Sequence, residues 1–236
     1  MVPSWLKTGD SVTKKHLTKS WESPIVSIIM KDLNQIKVIL LDFGGVISPE
    51  GFRLGVLHLS RIYGKSYDDM HEIAATKALK KSGYLAGKSP ENKFWEIIAK
   101  ELDVNEQIME YRYLILDNFV PRKEIIDTVI ELKDKFKWGI FSDQTNWIHE
   151  VDEEYDFMQY FDYKFISYDL GHTKNDDEFY RTPYKEINLP AENILIVDDK
   201  QSILDRAKEF GYHTFRFDSI QGFLDLIYQI DFSNPS

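Results

Sequence analysis

The sequence predicts an α/β fold: a parallel sheet flanked by helices, with an all-helical segment inserted after the first strand. Three observations carry this. Ile36-Lys37-Val38-Ile39-Leu40-Leu41 is an apolar run that stops abruptly at Asp42-Phe43-Gly44-Gly45, as a strand buried on both faces does when it meets a turn. From Pro121 onward, short apolar runs alternate with amphipathic stretches of helical spacing, the pattern of βαβ units in a parallel sheet. Between the two, residues 52–117 show helical patterning and no strand, too long a stretch for a simple crossover.

The elements follow in order. Residues 1–35 form an N-terminal extension with a mildly basic part (Lys14, Lys15, His16, Lys19) and a short apolar part (Ile25 to Met30), and no function is assigned to it. The first strand ends at Asp42. Ser48-Pro49-Glu50-Gly51 breaks the pattern, and the helical insertion spans residues 50–117. Its helices start at Phe52, at Asp68 (running to Lys80), after Ser89-Pro90 with Pro at the first helical position, and at Asn105 (running to about Asn118). Residues 36–49 and 118–236 form the α/β core. There, Glu124 to Phe136 reads as a helix and Lys137 to Phe141 as a strand ending at Ser142-Asp143. Asn146 to Tyr155 is helical, Tyr163 to Ser167 a strand and Asp176 to Ile187 a helix. Glu192 to Val197 is a strand ending in Asp198-Asp199. Gln201 to Phe210 is a helix, Tyr212 to Phe217 a strand and Phe223 to Ile230 the terminal helix.

Composition narrows the function. The chain of 236 residues is 43% hydrophobic and 29% charged, ordinary for a globular domain with a sizeable core. It has no cysteine, which excludes disulfides, zinc–thiolate centres and a thiol nucleophile. A net charge of −10 without a basic patch argues against nucleic-acid binding. No apolar run approaches the roughly 18 residues of a membrane helix, and the N-terminus lacks the apolar core of a signal peptide. The expectation is a cytoplasmic protein with a small-molecule substrate and no membrane partner, its oligomeric state open.

Ligands of an open parallel sheet bind at the carboxyl ends of its strands. Asp42, Ser142 and the pair Asp198-Asp199 each end a strand, and Lys174 lies in the loop after another. This set has a shared chemistry. A carboxylate can attack phosphorus and form an aspartyl-phosphate. Mg²⁺ held by carboxylates would bring the two anions together. A lysine would screen the remaining charge, and a hydroxyl would bond a phosphate oxygen.

Asp42-Phe43-Gly44-Gly45-Val46, Ser142, Lys174 within Gly171-His172-Thr173-Lys174-Asn175-Asp176, and Ile196-Val197-Asp198-Asp199 follow one another in the order of four motifs. On these residues the chain resembles the haloacid dehalogenase superfamily, over about residues 36–217. The resemblance is to the branch with a small helical cap, which includes the sugar-phosphate phosphatases and the phosphatase domain of epoxide hydrolases. The segment from Gly83 to Trp95 resembles that cap. The resemblance implies a three-layer, Rossmann-like parallel sheet core with an inserted all-helical cap. It also implies a Mg²⁺-dependent phosphatase acting on a small phosphorylated metabolite. Asp42 would be the nucleophile, with Ser142 and Lys174 holding the phosphoryl group. The Asp42 carboxylate, the Gly44 carbonyl, Asp198 and Asp199 would serve the metal.

Three positions depart from that family's pattern. Gly44 stands where a second aspartate usually acts as general acid and base, although some of the branch also carry Gly there. Losing a proton donor typically costs about 10²–10⁴ in rate, so a slow enzyme, or one preferring acyl or aryl phosphates, is expected. Asp143 follows Ser142 where Asn is common, and its charge would weaken phosphate binding if it pointed inward. Asn175 replaces Pro after Lys174, a milder change.

Each residue also has a plainer reading. Asp42 and Ser142 could be helix caps, Lys174 a solvated lysine and Asp198-Asp199 a turn. His172 is read as an ordinary loop histidine rather than a substitute acid, and Glu50 and His58 could contact substrate. Phe94, Trp95, Tyr111 and Tyr113 are read as core, and the acidic run Glu150 to Asp156 as a solvated helix face. Two other functions use the same fold. A 2-haloacid dehalogenase needs no metal, but acids such as Asp198-Asp199 would repel its carboxylate substrate. A catalytically degenerate binding protein would be consistent with Gly44 and Asp143. A phospho-receiver domain carries its acidic pair on the first strand and lacks a cap.

Overall fold

The computed structural model describes residues 35–104 and 108–233. All but the last residue of the expected N-terminal extension, residues 1–35, lies outside the described residues. Strands β1 (Val38–Leu41), β2 (Lys137–Ser142), β3 (Tyr163–Ile166), β4 (Ile194–Asp198) and β5 (His213–Arg216) form one parallel sheet, ordered β3-β2-β1-β4-β5. β1 is central, and all four of its residues are buried.

Successive strand residues point to opposite faces, and here both faces are apolar. Ile39, Leu41, Trp138, Ile140, Leu195 and Val197 pack on one side. Val38, Leu40, Phe141, Phe165, Ile194 and Ile196 pack on the other. Gly139 makes room in β2, since a Cβ there would lie 2.6 Å from the Leu40 side chain. Helices α5 (Lys123–Glu131), α6 (Trp147–Tyr155) and α10 (Ile220–Ser233) cover the first face through residues such as Ile125, Val129, Ile148, Phe223 and Ile227. Helices α8 (Asp177–Ile187) and α9 (Gln201–Glu209) cover the second through Phe179, Tyr180, Leu204 and Ala207. The result is a three-layer α/β core.

Between β1 and α5 the described residues form helices and no strand. These are α1 (Gly51–Ile62), α2 (Tyr67–His71), a π-helical segment (Glu72–Lys81), a 3₁₀ turn (Tyr84–Ala86), α3 (Glu91–Leu102), a second 3₁₀ turn (Ile108–Arg112) and α4 (Tyr113–Leu116). The continuous helix expected over Asp68–Lys80 is thus α-helical only to His71 and then widens, with Ala74, Ala75 and Ala78 buried along the wider turns. The helix expected over Asn105–Asn118 is two short pieces where it is described. Pro90 occupies the N-cap of α3, one position before the expected one.

In the core, Ala191–Asn193 form a 3₁₀ turn before β4, and Ser167 belongs to α7 (Ser167–Leu170) rather than to β3. Phe94 and Trp95 are buried as expected, whereas Tyr113 is 52% exposed and is not core. The acidic run is more than a solvated face: Glu150 pairs with Arg112, and Asp152 Oδ1 accepts the Met158 N–H at 2.7 Å.

The chain runs from β1 outward through β2 and β3, then returns to β4 on the other side of β1. Leu41 lies opposite Ile140 on one side and Val197 on the other. Asp42, Ser142 and Asp198 therefore meet at the carboxyl edge where the strand order reverses, the position where such sheets bind ligands.

Candidate active site

Three adjacent strand ends and one loop build the site. Ser142 Oγ donates to Asp42 Oδ1 at 2.7 Å and accepts the Phe43 N–H at 3.3 Å, which ties the end of β2 to the residues after β1. Lys174 enters from the loop between α7 and α8. Its Nζ donates to Asp42 Oδ1 at 2.8 Å and to Asp198 Oδ2 at 2.6 Å. Asp198 Oδ1 accepts the Lys200 N–H at 2.8 Å. Asp42, Ser142, Lys174 and Asp198 are all buried. Oδ2 of Asp42 has no hydrogen bond among the described residues, so this face of the carboxylate is free to act.

The loop after Asp42 is short and closed. Ser48 N donates to Phe43 O at 2.8 Å and Gly45 N to Ser48 O at 2.7 Å, and a parallel bridge links Gly44 to Ser48. Gly45 has φ +94° and lies so close to Asp199 that a Cβ would stand 2.7 Å from the carboxylate carbon. Only glycine meets both demands.

The charges are strongly coupled. Burial opposes the Lys174 ammonium, but Asp198, Asp42 and Asp143 together outweigh it and raise its pKa, so it is held charged. Burial raises Asp198, against the pull of Lys174. Burial also pushes Asp199 up to about 7, with Lys200 opposing and Glu50, Asp42 and Asp198 adding to the rise. Burial pushes Asp143 up to about 6, partly offset by Lys174. These shifts mark a place where acids crowd together out of water.

One oxygen each from Asp42, Asp198 and Asp199 lies within 4.8 Å of the other two. Asp199 Oδ1 is buried without a hydrogen bond; Lys200 Nζ, at 4.0 Å, is too far away to supply one. Three converging carboxylates, one with an orphaned oxygen, suit a hard divalent cation with oxygen ligands. A cavity of about 540 Å³ opens above them, lined by Asp42, Gly44, Lys174, Asp198 and Asp199 on the core side and by Arg53, Tyr67 and Lys80 on the helical side. Every residue expected at the site is thus brought together: Ser142 bonds Asp42 directly, and Gly44 lines the cavity.

Other expectations fare differently. His172 is exposed, and neither it nor His58 lines the cavity. Glu50 does line it, and its Oε1 accepts from Lys200 Nζ at 2.9 Å. Asp143 Oδ1 accepts the Lys174 N–H at 2.8 Å, so it braces the lysine loop. Lys200 and Gln144 also line the cavity, and neither stands out in the sequence. A cation directly after an acidic pair is the one available sign for Lys200.

The family model described as haloacid dehalogenase-like hydrolase matches residues 36–211. The chain belongs to this family. Among curated proteins, D-ribitol-5-phosphate phosphatase of Bacteroides thetaiotaomicron is 24% identical over 196 residues, which are 77% of this chain and 91% of that protein. A predicted HAD-like hydrolase from Porphyromonas gingivalis superposes with a TM-score of 0.66 at 17% identity, over 82% of this chain and 98% of that one. A HAD family enzyme of Bacteroides thetaiotaomicron, solved in complex with magnesium and inorganic phosphate, superposes with a TM-score of 0.63 at 16% identity, over 77% and 93%. L-2-haloacid dehalogenase from Xanthobacter autotrophicus reaches 0.58 at 17% identity, over 82% of each chain. These hydrolases and this chain share one fold.

Proposed function

We propose that this hydrolase is a Mg²⁺-dependent phosphatase that cleaves a small phosphorylated metabolite through an aspartyl-phosphate on Asp42. The observation that carries the reading is the carboxylate cluster of Asp42, Asp198 and Asp199 with its orphaned Asp199 oxygen. A dehalogenase that needs no metal would have no use for this cluster, and the acids would repel a carboxylate substrate. The phosphatase name of the ribitol-phosphate relative and the magnesium and phosphate in the Bacteroides structure point the same way.

Asp42, Asp198, Asp199 and the Gly44 carbonyl would hold the cation, which offsets the repulsion between the Asp42 carboxylate and a phosphate dianion. Asp42 attacks phosphorus through Oδ2, the oxygen not engaged by Ser142 and Lys174. The Lys174 ammonium and the Ser142 hydroxyl, now on Oδ1, orient that carboxylate and lie in reach of phosphoryl oxygens. Residues 50–117 act as a cap over the core of residues 36–49 and 118–236, closing the cavity from the helical side and excluding water.

Purified protein should release phosphate from an aryl phosphate with Mg²⁺ and stop on adding EDTA, and Asp42→Asn should abolish turnover. Undiminished activity in Asp42→Asn, or chloride release from 2-chloropropionate in EDTA, would overturn the reading.

A further inference from the structure

Cleaving an alkyl phosphate requires a proton for the departing oxygen, and hydrolysing the resulting acyl phosphate requires that a proton be taken from water. Five carboxylates line the cavity: Asp42, Glu50, Asp143, Asp198 and Asp199. Four are committed. Asp42 is the nucleophile of the proposed reaction. Both oxygens of Asp198 accept hydrogen bonds, from Lys174 Nζ and Lys200 N. Asp199 belongs to the cation cluster. Asp143 accepts the backbone N–H of Lys174 through Oδ1, and neither of its oxygens comes within 4 Å of the point where a Cβ on residue 44 would stand.

Glu50 is placed differently. Its Oε1 is fixed by Lys200 Nζ at 2.9 Å, while Oε2 has no hydrogen bond among the described residues. Oε2 lies 3.9 Å from the point where a Cβ on residue 44 would stand. Gly44 leaves that space open, two residues along the chain from Asp42. The Gly44–Ser48 bridge turns the chain back, so that Glu50, the N-cap of α1, overhangs the glycine.

Resting on the phosphatase reading above, we propose that Glu50 is the catalytic acid and base of this site, with Lys200 positioning it. In the first step Asp42 Oδ2 bonds to phosphorus, the bond from phosphorus to the alkyl oxygen breaks, and the protonated Glu50 gives its proton to that oxygen, releasing an alcohol. In the second, water bonds to phosphorus and passes a proton to the Glu50 carboxylate. The bond from phosphorus to Asp42 then breaks, releasing inorganic phosphate. Asp42 returns as a carboxylate and Glu50 as the acid, and the net reaction consumes one water. Gly44 therefore does not deprive the site of a proton carrier: the carboxylate arrives from the first residue of the helical insertion.

The test compares Glu50→Gln with Asp143→Asn in the full chain with Mg²⁺, on glycerol phosphate and p-nitrophenyl phosphate. p-Nitrophenolate leaves without a proton, whereas an alkoxide does not. Glu50→Gln should lower alkyl-phosphate turnover by about 10²–10⁴. It should still release a burst of nitrophenolate of about one equivalent, with the phosphorylated protein visible by intact mass. Adding Gly44→Asp to Glu50→Gln should restore alkyl-phosphate turnover at least tenfold, and Asp143→Asn should keep the native ratio of alkyl to aryl rates. Equal losses on both substrates without a burst in Glu50→Gln, or a leaving-group dependence confined to Asp143→Asn, would overturn the role of Glu50. A native protein that releases phosphate from neither substrate would instead overturn the phosphatase reading itself, and this proposal with it.

Discussion

Lys174 Nζ and Asp42 Oδ1 stand 2.8 Å apart beneath the cavity, their side chains only 4% and 7% exposed. The same ammonium holds Asp198, so one cation offsets two buried carboxylates. Removing one partner of such a group leaves uncompensated charge in a poorly solvated place, which typically costs about 3–5 kcal/mol. Lys174→Met should therefore destabilise the protein by about that much at pH 7.5 in urea titrations. At pH 5 the loss should be smaller, because Asp198, whose pKa burial raises against the pull of Lys174, can take up a proton once that cation is gone. An unchanged midpoint at pH 7.5 would show that the triad contributes little.

Two neighbouring glycines separate backbone need from mere space. At Gly45, φ is +94° and a Cβ would lie 2.7 Å from the Asp199 carboxylate; at Gly44 the nearest atom, Gln144 Nε2, would lie at an ordinary 3.5 Å. Gly45→Ala should cost on the order of 1–3 kcal/mol in backbone strain. It should also weaken Mg²⁺ binding at least tenfold by displacing Asp199. Gly44→Ala should melt near the native temperature. Calorimetric melting and titration with Mg²⁺ check both, and equal behaviour of the two variants would contradict the geometry.

The contrast between these glycines shows what a sequence can convey. Asp42, Ser142 and Asp198 are legible because each closes an apolar run, and a buried strand has to announce its end. Lys174 closes no such run; its place in the loop after a strand and the order of motifs point to it. Asp143 stands in the sequence as a charge opposing phosphate. It does line the cavity, and its Oδ1 also accepts the N–H of Lys174, a contact across 31 residues that no local pattern encodes. Glu50 pairs with Lys200 across 150 residues, and its approach to Gly44 depends on a bridge in the intervening loop. The π-helical turns of Glu72–Lys81 are hidden for a different reason. Ala74 and Ala78, like Ala75 and Leu79, lie four apart, a spacing that shares a face on an α-helix and on a π-helix alike.

The seam between the helical insertion and the sheet rests on few polar contacts. Ser167 Oγ is buried, accepts the Gln144 N–H at 3.0 Å and donates to Leu85 O at 2.8 Å. Tyr84 OH adds a 2.6 Å bond to Asn146 Oδ1. Ser167→Ala would strand a buried N–H and a carbonyl, for about 1–3 kcal/mol. Because Leu85 belongs to the insertion, the variant should be cut faster near residues 84–88 in limited proteolysis, with a lower melting temperature. Unchanged cleavage there would mean that the Ser167 bonds add little to the seam beside its apolar contacts and pairs such as Arg112–Glu150.

Asp143 sets a pH dependence of stability. Burial pushes its pKa up to about 6 in the folded protein, against roughly 3.9 for an exposed aspartate. The folded state thus binds the proton more tightly than the unfolded chain. Its contribution to stability is full below about pH 4 and is lost as pH rises through about 6. Above that the half-buried carboxylate is a net cost, on the order of 1–3 kcal/mol. Asp143→Asn keeps an oxygen for the Lys174 N–H but carries no charge. It should be more stable than the native protein by about that amount at pH 8, with the gap closing toward pH 4. Urea titrations at pH 4.5, 6 and 8 measure this difference. A constant gap across the three would mean that Asp143 does not titrate differently on folding. A variant less stable than the native protein at pH 8 would mean that its attraction to Lys174 outweighs its burial.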